Sequence, residues 1–253
     1  RRFDDLSQPL TLRRRSPGPA TFREKGSYTI MILDLTHTIR EDMPVYPGSP
    51  QPAFKPTGNL IRDGFRETMI QFVSHTGTHM DAPSHLLERG STLDELPVSQ
   101  FCGRAAVVDV SFLPPRGIIT ADFLRGLNGT VLSTDFVLFY TGWEKKWGTA
   151  AYFDDTFPVP DQAAAEYLVS CGLKGVGTDA LSVDTLRDPE FLAHKTLLEG
   201  GLVILENLCL RKVAPRREFM LFALPLKFLN ADGAPIRAVA EFRDFSEKEM
   251  VEP

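Results

Sequence analysis

The sequence has few cysteines, and it lacks both a long apolar run and an excess of basic charge. Its three cysteines, Cys102, Cys171 and Cys209, are widely spaced and form no C-x-x-C pair, so neither a disulfide framework nor a thiolate metal site is expected. No apolar run approaches the roughly 20 residues that span a bilayer. The 28 basic and 33 acidic residues give a net charge of −5, which argues against nucleic acid as a partner. We therefore expect a cytoplasmic protein that binds neither membranes nor nucleic acid.

The first 30 residues differ in charge from the rest of the chain. They contain seven basic and three acidic residues, which leaves 21 basic and 30 acidic residues for the remainder. Met31 then opens an apolar, strand-like run, Ile32-Leu33-Asp34-Leu35, that is typical of the start of a folded chain. We expect residues 1–30 to be a basic extension, either derived from cloning or upstream read-through or poorly ordered, and residues 31–253 to form a single domain.

Short β-rich runs alternate with helical runs after Met31. Strands are predicted near 31–35, 68–74, 104–111, 135–141, 174–178, 202–209, 218–224 and 235–242, and helices near 120–126, 161–171 and 188–198. Asp161 and Gly172 give the middle helix a start signal and a stop signal. Because strands outnumber helices and some follow one another directly, we predict an α/β fold with a mixed, strand-rich sheet and helices packed on it. Gly175 and Gly177 fall short of a dinucleotide fingerprint, so no NAD is expected.

Three of the five histidines, His75, His79 and His85, lie within eleven residues, and Asp81 lies among them. Two imidazoles and a carboxylate are good ligands for Zn²⁺, Mn²⁺ or a similar ion. On an extended strand with ~3.3 Å per residue, His75 and His79 would lie about 13 Å apart. Ligand atoms on one ion lie only about 3–3.5 Å apart. The chain must therefore bend between them, and Gly77 allows the bend because it has no Cβ.

Further ligands would have to come from elsewhere in the chain, where His37 and His194 are the remaining histidines. Glu206 interrupts the apolar run 201–210, where an unpaired carboxylate is costly and needs a cation or several hydrogen bonds. A bound metal or a salt bridge to an arginine or lysine would satisfy Glu206 equally well, and the pattern does not rank them. We expect His37 to be structural.

The histidine cluster follows the pattern H-x-G-T-H-x-D-x-P-x-H without a mismatch, as His75, Gly77, Thr78, His79, Asp81, Pro83 and His85. In this pattern the chain resembles the cyclase-family metal-dependent hydrolases, which include bacterial kynurenine formamidase and isatin hydrolase. The resemblance extends over about residues 31–250 and includes the Tyr46-Pro47-Gly48 loop and the Glu206-Asn207-Leu208 segment. It implies a swivelling β/β/α domain that forms a homodimer or homotetramer, with the active site near a subunit contact.

The resemblance also implies roles for individual residues. His75 and His79 would bind one metal ion and His194 a second, while Asp81 and Glu206 would be shared between the two. His85 would transfer protons, and Tyr46 would contact the substrate's aromatic ring, where formamidases typically have a tryptophan. We expect one or two divalent ions per subunit, with Zn²⁺ the first expectation and Mn²⁺ the second.

These residues together predict hydrolysis of a small aromatic amide by metal-activated water, with His85 as the proton-transfer residue. The first expectation is arylformamidase activity, which converts N-formylkynurenine to kynurenine and formate. The formamidase loop usually reads W-P-G-D, whereas this chain has Tyr46-Pro47-Gly48-Ser49. Hydrolysis of isatin or another cyclic amide, imide or lactone is therefore the alternative. The alternative from another functional class is a non-catalytic protein that binds a small ligand with the help of a metal ion. Such a protein would not need His85.

Overall fold

The computed structural model describes residues 20–23, 29–127, 129, 133–214 and 218–243. The strands in this part of the chain are, in order, β1 (Ala20–Arg23), β2 (Thr29–Asp34), β3 (Ala53–Gly58), β4 (Glu67–Gln71), β5 (His79–Asp81), β6 (Cys102–Asp109), β7 (Ile118–Ile119), β8 (Phe136–Tyr140), β9 (Val159–Pro160), β10 (Gly175–Thr178), β11 (Val203–Glu206), β12 (Glu218–Pro225) and β13 (Gly233–Arg243). The helices are α1 (Leu60–Asp63), α2 (Ala121–Arg125), α3 (Gln162–Ser170) and α4 (Leu192–Glu199).

Nine of the described strands form one mixed sheet in the order β1-β2-β13-β12-β6-β8-β10-β11-β5. The central strands β6, β8, β10 and β11 are parallel, and their neighbours on both sides are antiparallel. The short strand β5 pairs with β11 on one side and with β13 on the other. Seven strands therefore close into a ring, and the predicted mixed, strand-rich sheet is confirmed.

Apolar side chains cover both faces of the central strands. Along β8, Phe136 and Leu138 belong to the core on one side of the sheet, which also contains Met80 of β5. Val137 and Phe139 belong to the core on the other side, together with Leu168 of α3 and residues of α4. Successive side chains of a strand point to opposite faces, so a strand buried on both faces must be apolar throughout.

The helix boundaries follow their capping groups. Helix α3 begins where predicted, because the Asp161 carboxylate accepts a hydrogen bond from the Ala164 N–H at 2.8 Å. Helix α4 was predicted from residue 188, but it begins only at Leu192. Phe191 has a left-handed backbone that interrupts the helix, and in the first turn of α4 the N–H groups of Ala193 and His194 donate to the Asp184 carboxylate.

A hairpin of β3 and β4 lies outside the nine-stranded sheet. Residues 59–71 are all exposed, and Ile61, at the turn between the two strands, is 97% exposed. Four further large apolar side chains of this hairpin are exposed: Leu60, Phe65, Met69 and Ile70. The sequence predicted β4 but not β3. A two-stranded hairpin is marginally stable in water by itself, so this apolar surface is suited to a partner.

The N-terminal extension and the absence of membrane spans were also expected from the sequence. Strand β1 lies inside the predicted extension 1–30 and pairs with β2, while residues 1–19 and 24–28 lie outside the described residues. Among the described helices, none has the length and apolar character that crossing a bilayer requires.

Candidate metal centre

The bend predicted between His75 and His79 is present at Gly77. Gly77 has a φ of +66°, and it turns the chain so that the two imidazole rings lie 5.2 Å apart, edge to face. Strand β5 begins at His79, which pairs in register with Glu206 of β11. His79 and Asp81 are two residues apart on this strand, so their side chains point to the same face. The bend at Gly77 and the pairing of β5 with β11 together bring the side chains of residues 75–81 close to Glu206.

Asp81 lies at the centre of the cluster and faces two groups of side chains. Its Oδ1 atom is 2.6 Å from Nδ1 of His75 and 3.3 Å from Nε2 of His79. Its Oδ2 atom is 3.7 Å from Nε2 of His194, which is also 3.2 Å from Oε1 of Glu206. Glu206 in turn places Oε2 3.4 Å from Nε2 of His79. In each group, His75–His79–Asp81 and Asp81–His194–Glu206, the possible ligand atoms lie within 4.8 Å of one another.

The second nitrogen of each imidazole is held by another part of the protein. His79 Nδ1 donates to the Gly77 carbonyl at 2.9 Å, and His194 Nδ1 donates to the Asp184 carboxylate at 2.7 Å. His75 Nε2 is 3.1 Å from the Asp232 carboxylate. These bonds fix each ring so that its remaining nitrogen faces the Asp81 carboxylate, and those of His79 and His194 also face Glu206. Such outer partners orient histidines that bind metals.

The electrostatics of the cluster also suit a cation. Burial raises the pKa of Asp81, but its contacts with the surrounding imidazoles outweigh this and hold the pKa well below the usual value. Burial lowers the pKa of His194, but Asp184, Asp81 and Glu206 together raise it well above the usual value. Asp81 Oδ2 is buried without a hydrogen-bond partner. A buried carboxylate oxygen with no donor fits a bound cation, and imidazole and carboxylate ligands suit a first-row divalent ion.

The sequence left open whether a bound metal ion or a salt bridge to an arginine or lysine balances the charge of Glu206. In the described part of the chain, its ion-pair neighbours are the imidazoles of His79 and His194, and no arginine or lysine takes that place. The Val183 N–H also donates to Glu206 Oε1 at 3.2 Å. The alternative of a salt bridge to an arginine or lysine is therefore not found there, and the carboxylate belongs to the possible metal cluster.

The cluster forms one side of a cavity of about 240 Å³. His85 lines this cavity, and its ring centre lies 4.0 Å from that of His75 and 6.3 Å from that of His194. Burial lowers the pKa of His85, which favours a neutral ring. The apolar walls include Val45, Tyr46, Leu86, Leu181 and Phe191. The structure thus brings all the sequence-predicted site residues, His75, His79, Asp81, His85, His194, Glu206 and Tyr46, to one cavity.

His37, which was expected to be structural, lies apart from this cluster. Its ring stacks on Trp147 with ring centres 3.9 Å apart, and its backbone N–H donates to Thr78 at 2.9 Å. It does not belong to the possible metal groups found among the described residues.

Sequence reasoning missed several residues that support the site. Asp232 holds His75 from 157 positions away, and in the sequence it is part of an Asp-Gly pair that signals only a turn. Asn207 has a positive φ of 56°, and its side chain donates to the Gly77 carbonyl at 3.0 Å. Asp184 both caps α4 and holds His194.

Comparisons with known proteins identify the family to which this chain is similar. The family model described as "Putative cyclase" matches residues 33–185. The kynurenine formamidase of Salinibacter ruber is 36% identical over 214 residues, which cover 82% of this chain and 96% of that protein.

Two solved structures share the fold. One is an isatin hydrolase with the product analogue thioisatinate bound, at 25% identity and a TM-score of 0.77, covering 85% of this chain and 93% of that one. The other is a potential metal-dependent hydrolase with cyclase activity, at 31% identity and a TM-score of 0.66, covering 84% and 99%. The fold that the resemblance implied is therefore confirmed, and this chain belongs to the cyclase family of metal-dependent hydrolases.

Proposed function

We propose that this protein hydrolyses a small aromatic amide in a metal-dependent reaction, with N-formylkynurenine as the leading substrate and kynurenine and formate as products. The observation that carries this proposal is Asp81, a buried carboxylate that faces His75 and His79 with one oxygen and His194 with the other. The kynurenine formamidase of Salinibacter ruber, which this chain matches over 96% of its length, supports the choice of substrate.

The residues that would hold the metal are His75, His79 and Asp81 for one ion, and Asp81, His194 and Glu206 for a second. Zn²⁺ is the first choice for these ligands and Mn²⁺ the second. When bound, a divalent cation can lower the pKa of water to about 7 and polarise a carbonyl oxygen. The protein holds the ligand set in place through the outer bonds of Gly77, Asp184 and Asp232.

His85 is suited to move the proton. Its ring lies beside His75 at the cavity wall, and the lowered pKa leaves a ring nitrogen free to accept a proton from the attacking water. The imidazolium then donates this proton to the nitrogen of the leaving amine, since an anilide ion is a poor leaving group. A positioned proton donor of this kind typically contributes about 10²–10⁴-fold.

Tyr46 and the apolar walls of the cavity would bind the non-reacting part of the substrate. Tyr46 follows Pro44 and precedes Pro47, and these two prolines restrict the loop that carries it. The residue is 39% exposed and lines the cavity, so part of its surface is open to a ligand. The arrangement of an apolar wall and a polar floor is typical of small-molecule sites.

A second candidate is the hydrolysis of isatin or another cyclic amide. It is favoured by the isatin hydrolase structure, which shares the fold over 85% of this chain, and by Ser49, where formamidases typically have an aspartate in this loop. Both reactions need the same metal ligands and differ in the shape of the ring that the cavity accepts.

The test is to add N-formylkynurenine and isatin separately to metal-loaded protein and to follow the absorbance of each, before and after chelation. Turnover of N-formylkynurenine that stops on chelation and returns with Zn²⁺ or Mn²⁺ is expected. Turnover of isatin alone would favour the second candidate. Turnover that chelation leaves unchanged would contradict a metal-dependent reaction.

We also propose that the protein forms a homodimer or homotetramer. The exposed apolar side chains of the β3–β4 hairpin support this proposal, because they form a surface that a second copy can cover. The hairpin lies in the chain between Tyr46 and His75, so a contact there would adjoin segments that line the cavity.

A further inference from the structure

Phe191 has a backbone conformation that its side chain does not favour. Its φ and ψ angles are 51° and 52°, in the left-handed region. A residue with a Cβ meets steric repulsion there, and glycine or asparagine is the usual occupant. Unfavourable backbone conformations of this kind persist only where the surrounding contacts compensate for their free-energy cost. They cluster at active sites and ligand sites.

The start of helix α4 requires this backbone shape but does not require a phenyl ring. In the first turn of the helix, the Leu192 N–H donates to the Asp188 carboxylate at 3.3 Å, and the N–H groups of Ala193 and His194 donate to the Asp184 carboxylate at 2.9 Å each. The Phe191 side chain makes no capping hydrogen bond, and the only part of Phe191 that accepts from α4 is its carbonyl, which bonds the Lys195 N–H at 2.9 Å. Glycine or asparagine could supply all of these backbone contacts.

The phenyl ring itself faces the reaction site. Phe191 lines the same cavity as Tyr46, and its ring meets the His194 ring edge to face, with ring centres 5.9 Å apart. The side chain is half-buried, so part of its surface is open. An apolar ring beside a possible metal ligand offers a planar wall to the aromatic part of a substrate, and aromatic rings favour such offset or edge-to-face contacts.

We propose that Phe191 is a specificity-determining residue whose ring, together with Tyr46, binds the aromatic ring of the substrate. This inference rests on the proposed hydrolysis of aromatic amides and names the feature of the substrate that the cavity selects. A planar aryl ring can pack against the Phe191 ring in an offset or edge-to-face arrangement, whereas a puckered ring of similar size lacks the flat aromatic surface that this contact needs. The protein therefore prefers planar aryl amides to bulky aliphatic amides.

The experiment compares Phe191→Gly and Phe191→Asn with the unchanged protein, each loaded with metal. Both substitutions remove the ring and fit the left-handed backbone. Formanilide and N-cyclohexylformamide serve as a planar and a puckered substrate with the same formyl group. Phe112→Ala is the control, because Phe112 is an exposed phenylalanine that does not line the cavity.

We expect both Phe191 variants to raise KM for formanilide about tenfold or more, with little change in kcat. KM for N-cyclohexylformamide should change much less, and the bound metal and Tm should stay close to those of the unchanged protein. Phe112→Ala should match the unchanged protein throughout. Unchanged KM for formanilide, or equal losses with both substrates, would overturn the proposal. Loss of bound metal would instead show that the ring only positions His194, and this outcome also overturns it.

Binding of thioisatinate, measured by calorimetry, separates this inference from the proposed function. If the unchanged protein hydrolyses neither formamide, the proposed reaction is wrong, but the binding result still decides the role of Phe191. Binding about tenfold weaker in both Phe191 variants supports an aromatic wall. Equal binding in all variants, or no binding to the unchanged protein, refutes it.

Discussion

Gly233 lies directly against the ring of His75. A Cβ atom at position 233 would be 2.5 Å from Cε1 of His75, which is closer than real Cβ contacts allow. The neighbouring residue Asp232 holds Nε2 of the same ring at 3.1 Å, and the His85 ring lies 4.0 Å away. The start of β13 therefore determines where Nδ1 of His75 points.

Substitution of Gly233 tests this contact. In Gly233→Ala the added methyl group must displace the His75 ring, so the ring loses its orientation toward Asp81. We expect metal affinity to fall about 10–100-fold, the range seen when outer partners of metal ligands are altered. Competition with a chelator, together with elemental analysis, measures the change.

Gly126→Ala is the matched control, because Gly126 has a φ of −67° and a Cβ there would lie no closer than 3.3 Å to another atom. It should bind metal as the unchanged protein does. Normal affinity in Gly233→Ala would show that His75 moves freely or does not bind the metal.

Removal of the His85 imidazole tests proton transfer. In His85→Ala the metal content should persist, because both groups of side chains that surround Asp81 stay complete, and His85 belongs only to a separate possible group with His75 and Asp232. Turnover should fall by about a hundredfold or more, since no other group at this position can accept and return the proton. Steady-state kinetics and elemental analysis on the same sample give both quantities.

His37→Gln is the control for this experiment, because the His37 ring stacks on Trp147 outside the metal cluster. It should retain most of the activity. Near-normal turnover by His85→Ala would remove His85 from the reaction.

The pH dependence of metal binding follows from His75. Burial lowers the pKa of this imidazole, but Asp81 and Asp232 outweigh burial and raise the pKa to about 9 in the metal-free protein. A metal ion at Nδ1 must displace this proton. Metal affinity should therefore rise with pH up to about 9, and binding near pH 7 should release a proton. Calorimetry in buffers with different ionisation enthalpies measures this release.

The same shift affects the stability of the metal-free protein. A histidine whose pKa is raised by folding stabilises the fold fully below its unfolded value of about 6.5, and this contribution is lost as the pH rises through the folded value. The free energy of unfolding should therefore contain a contribution that declines between pH 6.5 and about 9. In His75→Gln this part of the decline should disappear. An unaltered profile would contradict the imidazolium contacts.

The exposed hairpin gives a prediction about assembly. Ile61→Asp combined with Ile70→Asp places charges on the apolar surface of the β3–β4 hairpin. If this surface joins two copies, the assembly should dissociate to monomers, as light scattering after size-exclusion chromatography would show. Val98→Asp is a control, because Val98 is 70% exposed outside the hairpin. A monomer before any substitution would rule out the homo-oligomer.

The sequence predicted the sheet well because its strands are marked by their own composition. Most strands from β2 to β13, including all the central parallel ones, lie where apolar, β-branched and aromatic runs indicated. The bend at Gly77 also followed from a local requirement, since two imidazoles four residues apart cannot meet on an extended chain.

The contacts that could not be predicted join distant parts of the chain. Asp232 and His75 are 157 positions apart, and nothing in an Asp-Gly pair indicates which ring it will support. The late start of α4 depends on Asp184, which reaches the helix from an earlier loop. Tertiary contacts of this kind override local propensity, so they become visible only in the folded chain.

Strand β5 has three residues, yet it completes the ring by pairing with β11 and β13 at once. Two of these three residues, His79 and Asp81, belong to the candidate cation cluster, and their counterparts arrive from positions 194 and 206. Without the β5 pairings, His79 and Asp81 are not held beside these counterparts. An ion bound there would connect β5 to β11 and α4, so its uptake would stabilise the closed ring, and its removal by chelation would weaken the pairings of β5 more than those of the other strands.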